Sequence, residues 1–347
     1  MVSPKVSIVV PVYNVEKYIE RCARSLFEQT MADLEFVFVD DCSPDKSMDI
    51  LHLVLQDYPH RQSQVTIVRH EVNKNLAVSR KDSAYAATGE FLMFVDSDDF
   101  LELDAAELLY NKAIAEGADL VTCGAFHYSA DRVNIINPAN NEMGEFGANV
   151  REDSLNRNVF TSVWAKLVRR EVMMKEGVVW PVRGFSEDVI VSAMMVYYSN
   201  RIVSIEDNLY HYCYNETSFM GDVSLAKMES NCRDSMENYK VFAEFFEKEN
   251  LEEQYPMALL RYKVGIKARL AILANNRQRR MEYRTTFPEI DKHYFWGSDG
   301  YRPSLKERFR IAAWWLGLMP RFHRIIDSRH VRPTNAPLCL FMKCSYK

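Results

Sequence analysis

Over roughly the first 120 residues, short runs of β-branched and aromatic residues alternate with amphipathic stretches long enough to form helices. This alternation is typical of βαβ units, in which helices cover a mostly parallel sheet. The run 91–95 is apolar at every position, as expected for a strand that is buried on both faces. The sequence therefore predicts an α/β fold. The predicted strands are 5–10, 35–39, 65–69, 91–95 and 119–123, and the predicted helices are 15–29 with Asn14 as the N-cap, one ending near Tyr58, 76–88 and 103–117.

Beyond about residue 124 the pattern changes. Residues 124–160 mix short strand-like runs with Asn, Gly and Pro, which predicts a loop and a hairpin rather than a domain boundary. A helix is predicted near 187–199, and strands are predicted at 201–205 and 209–214. From about residue 224 to residue 318, apolar residues recur with helical spacing. This part of the chain is predicted to be a helical C-terminal module.

Composition excludes several classes of protein. With 347 residues, 48% of them hydrophobic and 26% charged, the chain is neither disordered, collagen-like nor a small disulfide scaffold. A formal charge of −5 argues against a nucleic-acid partner. The seven scattered cysteines form no C-x-x-C pair, which indicates reduced thiols. The sequence shows no signal peptide and no apolar run near the roughly 20 residues of a membrane span, so we expect a cytoplasmic protein.

Three carboxylates lie within four residues, Asp96, Asp98 and Asp99, directly after the apolar strand. In an open α/β sheet the carboxyl ends of the strands form the ligand crevice, where clustered carboxylates repel one another unless a cation or a proton holds them. A hard divalent ion that also binds a diphosphate would satisfy them. One alternative is a cap for the next helix, but a cap needs only one carboxylate. The other is an aspartyl-phosphate site, but this site would need a partner Lys, and the sequence offers no plausible one.

A second acidic pair, Asp40 and Asp41, follows the second strand, so two strand ends offer carboxylates to one crevice. A carboxylate can accept from a base N–H or a ribose hydroxyl, and Tyr13 can stack on a base. Arg80 could pair with Asp41 or with a phosphate. Taken singly, Asp41 could equally form a turn with its neighbours, Tyr13 could be a rim residue and Arg80 a solvated helix residue.

Four segments, in this order and spacing, closely resemble glycosyltransferase family 2, an inverting family with the GT-A fold, a Rossmann-type nucleotide-sugar domain. The resemblance extends from residue 5 to about residue 220, and it is specific because four motifs agree. The segments are Pro11-Val12-Tyr13-Asn14, Phe38 to Ser43, Asn73 to Arg80, and Gly89 to Asp99. Asn75 stands where the family often has Gly, which affects only the local loop conformation.

The resemblance implies roles for the donor side of the site. Tyr13 and Asp41 would hold the nucleotide base, usually uracil, with Pro11 and Asp40 beside them and Arg80 near the base and ribose. The segment Asp96-Ser97-Asp98 matches the D-x-D motif of the family. By this resemblance Asp98 is the principal ligand for Mn²⁺ or Mg²⁺, and Asp96 lies toward the ribose and the donor sugar.

Residues 184–188 resemble the acceptor-side motif, in which Asp188 would be the general base and Glu187 its neighbour. Inversion in a single displacement requires such a carboxylate to take the proton of the acceptor hydroxyl. Without the upstream motifs, these two acids would suggest only a helix N-terminus. Trp164 could lie under an acceptor sugar or in the core, and His211 could touch the diphosphate or be structural.

The C-terminal tail is basic, with ten Lys and Arg residues and two acidic residues in 301–347. Its aromatic and basic residues in 301–330 fit either peripheral contact with the inner face of the cell membrane or a helix packed on the body. No Q-x-x-R-W motif follows Asp188, and that motif marks processive synthases of the family. The resemblance therefore favours transfer of a single sugar.

Together these features predict a GT-A domain over 1–222, with a donor half at about 1–123 and an acceptor half at about 124–222, and a helical module over 223–347. The predicted reaction moves one sugar from a nucleotide-sugar, usually a UDP-sugar, to a glycan or lipid-linked glycan in surface polysaccharide assembly. Two other hypotheses remain: a sugar-1-phosphate nucleotidylyltransferase, although 14–17 lacks its Gly- and Arg-rich loop, and a non-catalytic nucleotide-binding scaffold.

Overall fold

The computed structural model describes residues 4–128, 133–136, 155, 162–213, 215 and 224–297, together with 305, 308, 309, 312, 313 and 316. The chain divides into two compact units, Met1–Gly221 and Asp222–Lys347. Most of the predicted tail segment 301–330 lies outside the described residues, so its two interpretations both stay predictions.

The first unit contains a nine-stranded sheet whose strands are ordered β3-β2-β1-β4-β8-β6-β9-β5, with β7 paired to β6. Among the described strands, β5, β7 and β8 run opposite to the other six, so the sheet is mostly parallel, as predicted. The strands are β1 (Val6–Val12), β2 (Leu34–Asp40), β3 (Val65–Arg69), β4 (Phe91–Phe94), β5 (Phe100–Leu101), β6 (Leu120–Tyr128), β7 (Val133–Ile136), β8 (Lys166–Arg169) and β9 (Ile202–Tyr212).

Helices cover this sheet and complete the α/β fold. Every residue of β1, β2 and β4 is buried, which explains why these strands are apolar along nearly their whole length. Gly117 ends one helix in the left-handed conformation, with φ 59°, as expected of a C-terminal glycine. The helices are α1 (Ile19–Phe27), α2 (Ser47–Gln56), α3 (Leu76–Ala86), α4 (Ala105–Glu116), α5 (Arg170–Met173) and α6 (Glu187–Tyr198).

The register of the parallel strands brings three strand ends to one edge of the sheet. Val12 at the end of β1 pairs with Asp40 at the end of β2, and Val9 pairs with Phe94 at the end of β4. The segments that follow these strands therefore emerge side by side. This edge carries the sequence motifs that were predicted to bind a nucleotide.

Two local predictions were wrong. Asn14 does not cap α1; it adopts φ 55°, and the helix begins four residues beyond Val15, after a turn in which the Val15 N–H donates to Ser47 Oγ at 3.0 Å. The two strands predicted at 201–205 and 209–214 form one strand, β9, whose pairing with β6 contains register shifts. The polar residues that interrupt the apolar pattern belong to this irregular part of the strand.

The second unit is helical over its continuous described range, as predicted. Its helices are α7 (Leu225–Lys248), α8 (Pro256–Leu273), α9 (Arg277–Thr285) and α10 (Pro288–Trp296). A buried ion pair lies inside it: Lys267 Nζ is 2.8 Å from a carboxylate oxygen of Asp291, and the Tyr283 hydroxyl donates to the other oxygen at 2.8 Å. Within the described part of the chain, no helix combines the length and apolarity that membrane crossing requires.

The strands β1 and β4 meet closely at Gly89. Its N–H donates to Ser7 Oγ at 2.8 Å, and Ser7 Oγ donates in turn to the buried carboxylate of Glu35 at 2.5 Å. Thr88 donates to the same carboxylate through both its N–H and its hydroxyl. A Cβ on Gly89 would lie 2.8 Å from the backbone N of Ser7, so a side chain here would have to move backbone.

We expect Gly89→Ala to lower the free energy of unfolding by about 1–3 kcal/mol because the added methyl overpacks this contact. Gly265→Ala in α8 is the matched control: the nearest atom to its Cβ is Arg269 Nη1 at 3.5 Å, and alanine favours a helix. Urea unfolding followed by circular dichroism measures both variants. Equal losses of stability in the two variants would contradict the prediction.

Candidate active site

The segment after β4 holds three acids in different environments. Asp99 is turned inward: one carboxylate oxygen accepts from the Tyr210 hydroxyl at 2.7 Å and the other from the Cys213 N–H at 2.7 Å. Tyr210 also accepts the Asp96 N–H at 3.1 Å. These bonds attach the segment to β9, so the carboxylate of Asp99 fixes the backbone of the site and is not turned toward a ligand.

Asp98 has a different set of partners. A carboxylate oxygen accepts from the side-chain amide of Asn215 at 2.9 Å, and Arg21 donates to the Asp98 backbone carbonyl at 3.0 Å. Burial, and after it the charge of Asp96, raises the pKa of Asp98 above its ordinary value. Burial, and after it the charges of Asp98 and Asp96, raises the pKa of Asp99 well above its ordinary value. The negative charge at this strand end is therefore incompletely compensated by protein groups.

Arg80 joins the motifs that were predicted for the donor side and for the acceptor side. From α3, its guanidinium donates to Asp96 at 2.5 Å and also forms a short ion pair with Glu187. The side chain is 3% exposed, and its Nε has no partner among the described residues. Two acids separated by about ninety positions in the sequence are thus held by a single buried cation.

Glu187 and Asp188 begin α6, after Ser186 with φ 63°. Asp188 accepts the N–H of Val189 at 2.9 Å. Burial raises the pKa of Asp188 above its ordinary value, with Arg80 opposing the shift. A carboxyl group with a raised pKa is better suited to accept a proton than an ordinary surface carboxylate, so the position has the chemistry of a general base.

The second acidic pair is also placed at this edge of the sheet. Asp40 accepts from the Ser43 N–H at 2.9 Å and from Arg69 Nε at 3.2 Å. Asp41 is almost wholly buried and accepts from the backbone N–H groups of Lys74 and Asn75, at 2.7 and 3.0 Å. Its carboxylate therefore fixes the loop that leads into α3.

The remaining residues that were predicted for the donor side lie on the same edge. Pro11 is buried within β1, and Ser97 is buried between the two acids of the D-x-D segment. Tyr13, one residue beyond β1, is 47% exposed and is free to offer its ring to a ligand. Exposure of an aromatic ring beside buried carboxylates suits stacking on a base.

The two aromatic residues predicted for the acceptor side lie in ring stacks. Trp164 stacks on Tyr210 and Tyr212, with ring centroids 4.9 and 5.2 Å apart. His211 stacks on Phe100 at 4.0 Å. Both nitrogens of the His211 ring are bonded, and burial lowers its pKa. This environment explains why a histidine occurs in an aromatic strand, and the proposed contact of His211 with a diphosphate stays a prediction.

Several site residues were not recognised from the sequence. His70 and Asn215 bond to Asp41 and Asp98, and neither residue was assigned a role in the site from the sequence. Lys166 is 1% exposed and its Nζ donates to the Ser162 carbonyl at 2.5 Å. A lysine at the start of a short strand, directly before two apolar residues, was the signal that could have found it.

The donor set fits a divalent cation that is shared with a ligand. Asp96 and Asp98 are neighbouring carboxylates, and burial with their mutual repulsion disfavours the charged form of Asp98, which a cation would relieve. Across the described residues there is no group of three or more His, Cys, Asp or Glu residues arranged to hold a metal. Mg²⁺-type sites commonly use one or two carboxylates plus substrate phosphates, so these acids suit a shared ion rather than a closed protein site.

The family model described as Glycosyl transferase family 2 matches residues 7–176. Residues 7–176 form a glycosyltransferase family 2 domain. Uncharacterized glycosyltransferase EpsJ of Bacillus subtilis is 32% identical over 222 residues, which cover 62% of this chain and 62% of that protein. The family 2 match includes Asp41, Arg80 and Asp98 but ends before Asp188.

Solved structures share the fold of this chain. S. aureus TarS 1–349, in complex with UDP-GlcNAc, matches with a TM-score of 0.55 and 19% identity over 86% of this chain and 93% of that chain. Mannosyltransferase PcManGT from Pyrobaculum calidifontis, in complex with GDP-Man and Mn²⁺, matches with a TM-score of 0.50 and 16% identity over 93% of this chain and 88% of that chain. The fold is therefore GT-A, as predicted, and it accommodates different bases in different proteins.

The burial of Lys166 predicts a pH-dependent stability for the domain that contains it. Burial lowers the pKa of Lys166 to about 7, with Cys123 and Asp188 opposing the shift. The folded protein then loses this proton at a lower pH than the unfolded chain, so the cost of burying the charge disappears as pH rises above 7.

We expect the stability of the wild-type protein, relative to Lys166→Met, to rise between pH 7 and pH 9.5, because the variant has no buried amine to deprotonate. Urea unfolding of both proteins at a series of pH values measures this difference. Lys175→Met, at an exposed lysine, is the control and should show no such trend. A constant difference between Lys166→Met and wild type would contradict the prediction.

Proposed function

We propose that the chain transfers one sugar, with inversion, from a UDP-sugar to a glycan or lipid-linked glycan acceptor. The observation that carries this proposal is the position of Arg80 between Asp96 and Glu187. It places the D-x-D segment beside the acid pair at the start of α6, as a reaction between a donor and an acceptor requires.

In the proposed reaction, Asp188 takes the proton of the acceptor hydroxyl. The oxygen of this hydroxyl attacks the anomeric carbon of the donor sugar as the proton leaves. The bond from this carbon to the diphosphate oxygen breaks in the same displacement, so the configuration at the carbon is inverted. The raised pKa of Asp188 supports its role as the base. Glu187, held by Arg80, would orient the reacting groups from the acceptor side.

On the donor side, Tyr13 would stack on the uracil, and Asp41 would accept its N–H. Pro11 and Asp40 would border the base, and Asp96 would face the ribose and donor sugar. Asp98 and Asp96 would hold Mn²⁺ or Mg²⁺, which when bound offsets the charge that develops on the leaving diphosphate. Ser97 would shape the backbone between them.

The setting of the reaction is also proposed. Residues 1–222 would form the catalytic domain and residues 223–347 a helical module in a cytoplasmic enzyme of surface polysaccharide assembly. The basic tail over 301–330 would bring the enzyme to an anionic membrane surface when the acceptor is lipid-linked. Trp164 and His211 are proposed to border the acceptor side.

Thermal shifts with UDP, GDP, CMP and dTDP, each with Mn²⁺ or a chelator, test the donor class, because a ligand that binds the folded state raises the melting temperature. We expect the largest rise with UDP and Mn²⁺. Tight UDP binding with no transfer to any acceptor would favour a scaffold, and synthesis of a UDP-sugar from a sugar-1-phosphate and UTP would favour a nucleotidylyltransferase.

We expect Asp98→Asn to abolish the Mn²⁺-dependent part of the UDP shift and to lower turnover at least about 100-fold, because it removes a charge opposite the leaving group. Asp188→Asn should lower turnover similarly and leave UDP binding unchanged, because the base does not touch the nucleotide. Asp207→Asn, at an exposed acid, is the control. Near-normal turnover by Asp188→Asn would remove it from the role of base.

A further inference from the structure

The buried ring of His70 is bonded to a carboxylate at each nitrogen. His70 follows β3 directly, and its side chain is 3% exposed. Its Nδ1 is 2.7 Å from Asp41 Oδ1, and its Nε2 is 2.9 Å from Asp82 Oδ2. Each contact occupies an acceptor site on a carboxylate oxygen, because ionised carboxylates only accept hydrogen bonds. His70 therefore bridges two fixed carboxylates.

These bonds connect three elements of the donor side. Asp41 follows β2, His70 follows β3, and Asp82 lies on α3, two positions after Arg80. Movement of the His70 ring would therefore disturb both the carboxylate that is proposed to bind the base and the helix that carries Arg80. Such a contact holds a binding group in place without touching the ligand itself.

The bonds to Asp41 also limit what its carboxylate can still accept. Oδ1 accepts from His70 and from the Lys74 N–H at 2.7 Å. Within the described parts of the chain, Oδ2 accepts only the Asn75 N–H, at 3.0 Å. A carboxylate offers about two acceptor sites on each oxygen. Oδ1 is therefore filled, and one acceptor site remains on Oδ2.

We propose that His70 is a positioning residue that makes Asp41 selective for a base with a single N–H donor. Uracil offers one imide N–H on its pairing edge, whereas guanine offers an N–H and an adjacent amino group that would need both carboxylate oxygens. By occupying Oδ1, His70 leaves a site matched to uracil and unmatched to guanine. This inference rests on the proposed UDP-sugar function and adds to it the source of the base preference.

Two substitutions separate the two bonds of His70. The amide nitrogen of His70→Asn lies near the position of Nδ1 and keeps the bond to Asp41. That of His70→Gln lies near the position of Nε2 and keeps the bond to Asp82. Exposed His60 supplies the control His60→Gln. Calorimetric titration of each full-length variant with UDP and with GDP, in the presence of Mn²⁺, gives the preference as the ratio of the two dissociation constants.

We expect wild type and His60→Gln to prefer UDP, and His70→Asn to keep this preference within about twofold. His70→Gln should lose about tenfold of the preference, because Oδ1 becomes available to a second donor. An unchanged ratio in His70→Gln would overturn the inference, as would a tenfold loss in His70→Asn, which keeps the Asp41 bond.

Each variant is checked by thermal unfolding before titration. A purely structural role would weaken UDP and GDP by the same factor in both variants, which also overturns the inference. If His70→Gln does not fold, His70→Ala, which also removes the bond to Asp41, takes its place: a tenfold loss of the preference supports the inference and an unchanged ratio overturns it. A wild-type protein without preference for UDP contradicts the proposed donor, whatever the variants show.

Discussion

The arrangement of the site depends on the buried guanidinium of Arg80. Carboxylates are costly to bury unless a cation and hydrogen bonds compensate them, and Glu187 is nearly inaccessible to solvent. Arg80 compensates Glu187 and Asp96 together, and because it lies on α3 it fixes how closely the start of α6 approaches the D-x-D segment. Loss of this cation would leave two carboxylates facing each other across the crevice.

The acids of the D-x-D segment divide their functions by orientation. Asp99 points into the protein and is fixed by Tyr210 and Cys213, whereas Asp96 and Asp98 remain toward the crevice. Neighbouring carboxylates raise each other's pKa, as they do for Asp99. Because Asp99 is bonded inward, its carboxylate does not compete with Asp96 and Asp98 for a cation. Asp99 therefore makes the backbone of this segment rigid, while the adjacent Asp98 carries a charge that protein groups only partly compensate.

Much of the donor half could be predicted from the sequence because its signals are local. Strands β1 to β4 are short apolar runs separated by helix-length stretches, and the acids that follow them lie at strand ends by connectivity alone. The link from Arg80 to Glu187 could not be predicted, because it joins positions 107 residues apart. The burial of Lys166 and the two bonds of His70 likewise depend on neighbours that only the folded chain supplies. Local signals can also mislead: Asn14 is a favourable capping residue, but it lies in a turn and does not cap α1.

The place of β8 in the sheet has a consequence for how the chain is made. It pairs with both β4 and β6, although seventy or more residues separate it from β4. During synthesis, β1 to β4 can assemble as soon as they leave the ribosome, but the outer edge of β4, Phe-Leu-Met-Phe, stays open until Lys166–Arg169 emerges. An unpaired apolar strand edge is a template for association with other chains. Nascent chains that stall between these two strands would thus be the form of this protein most dependent on chaperones.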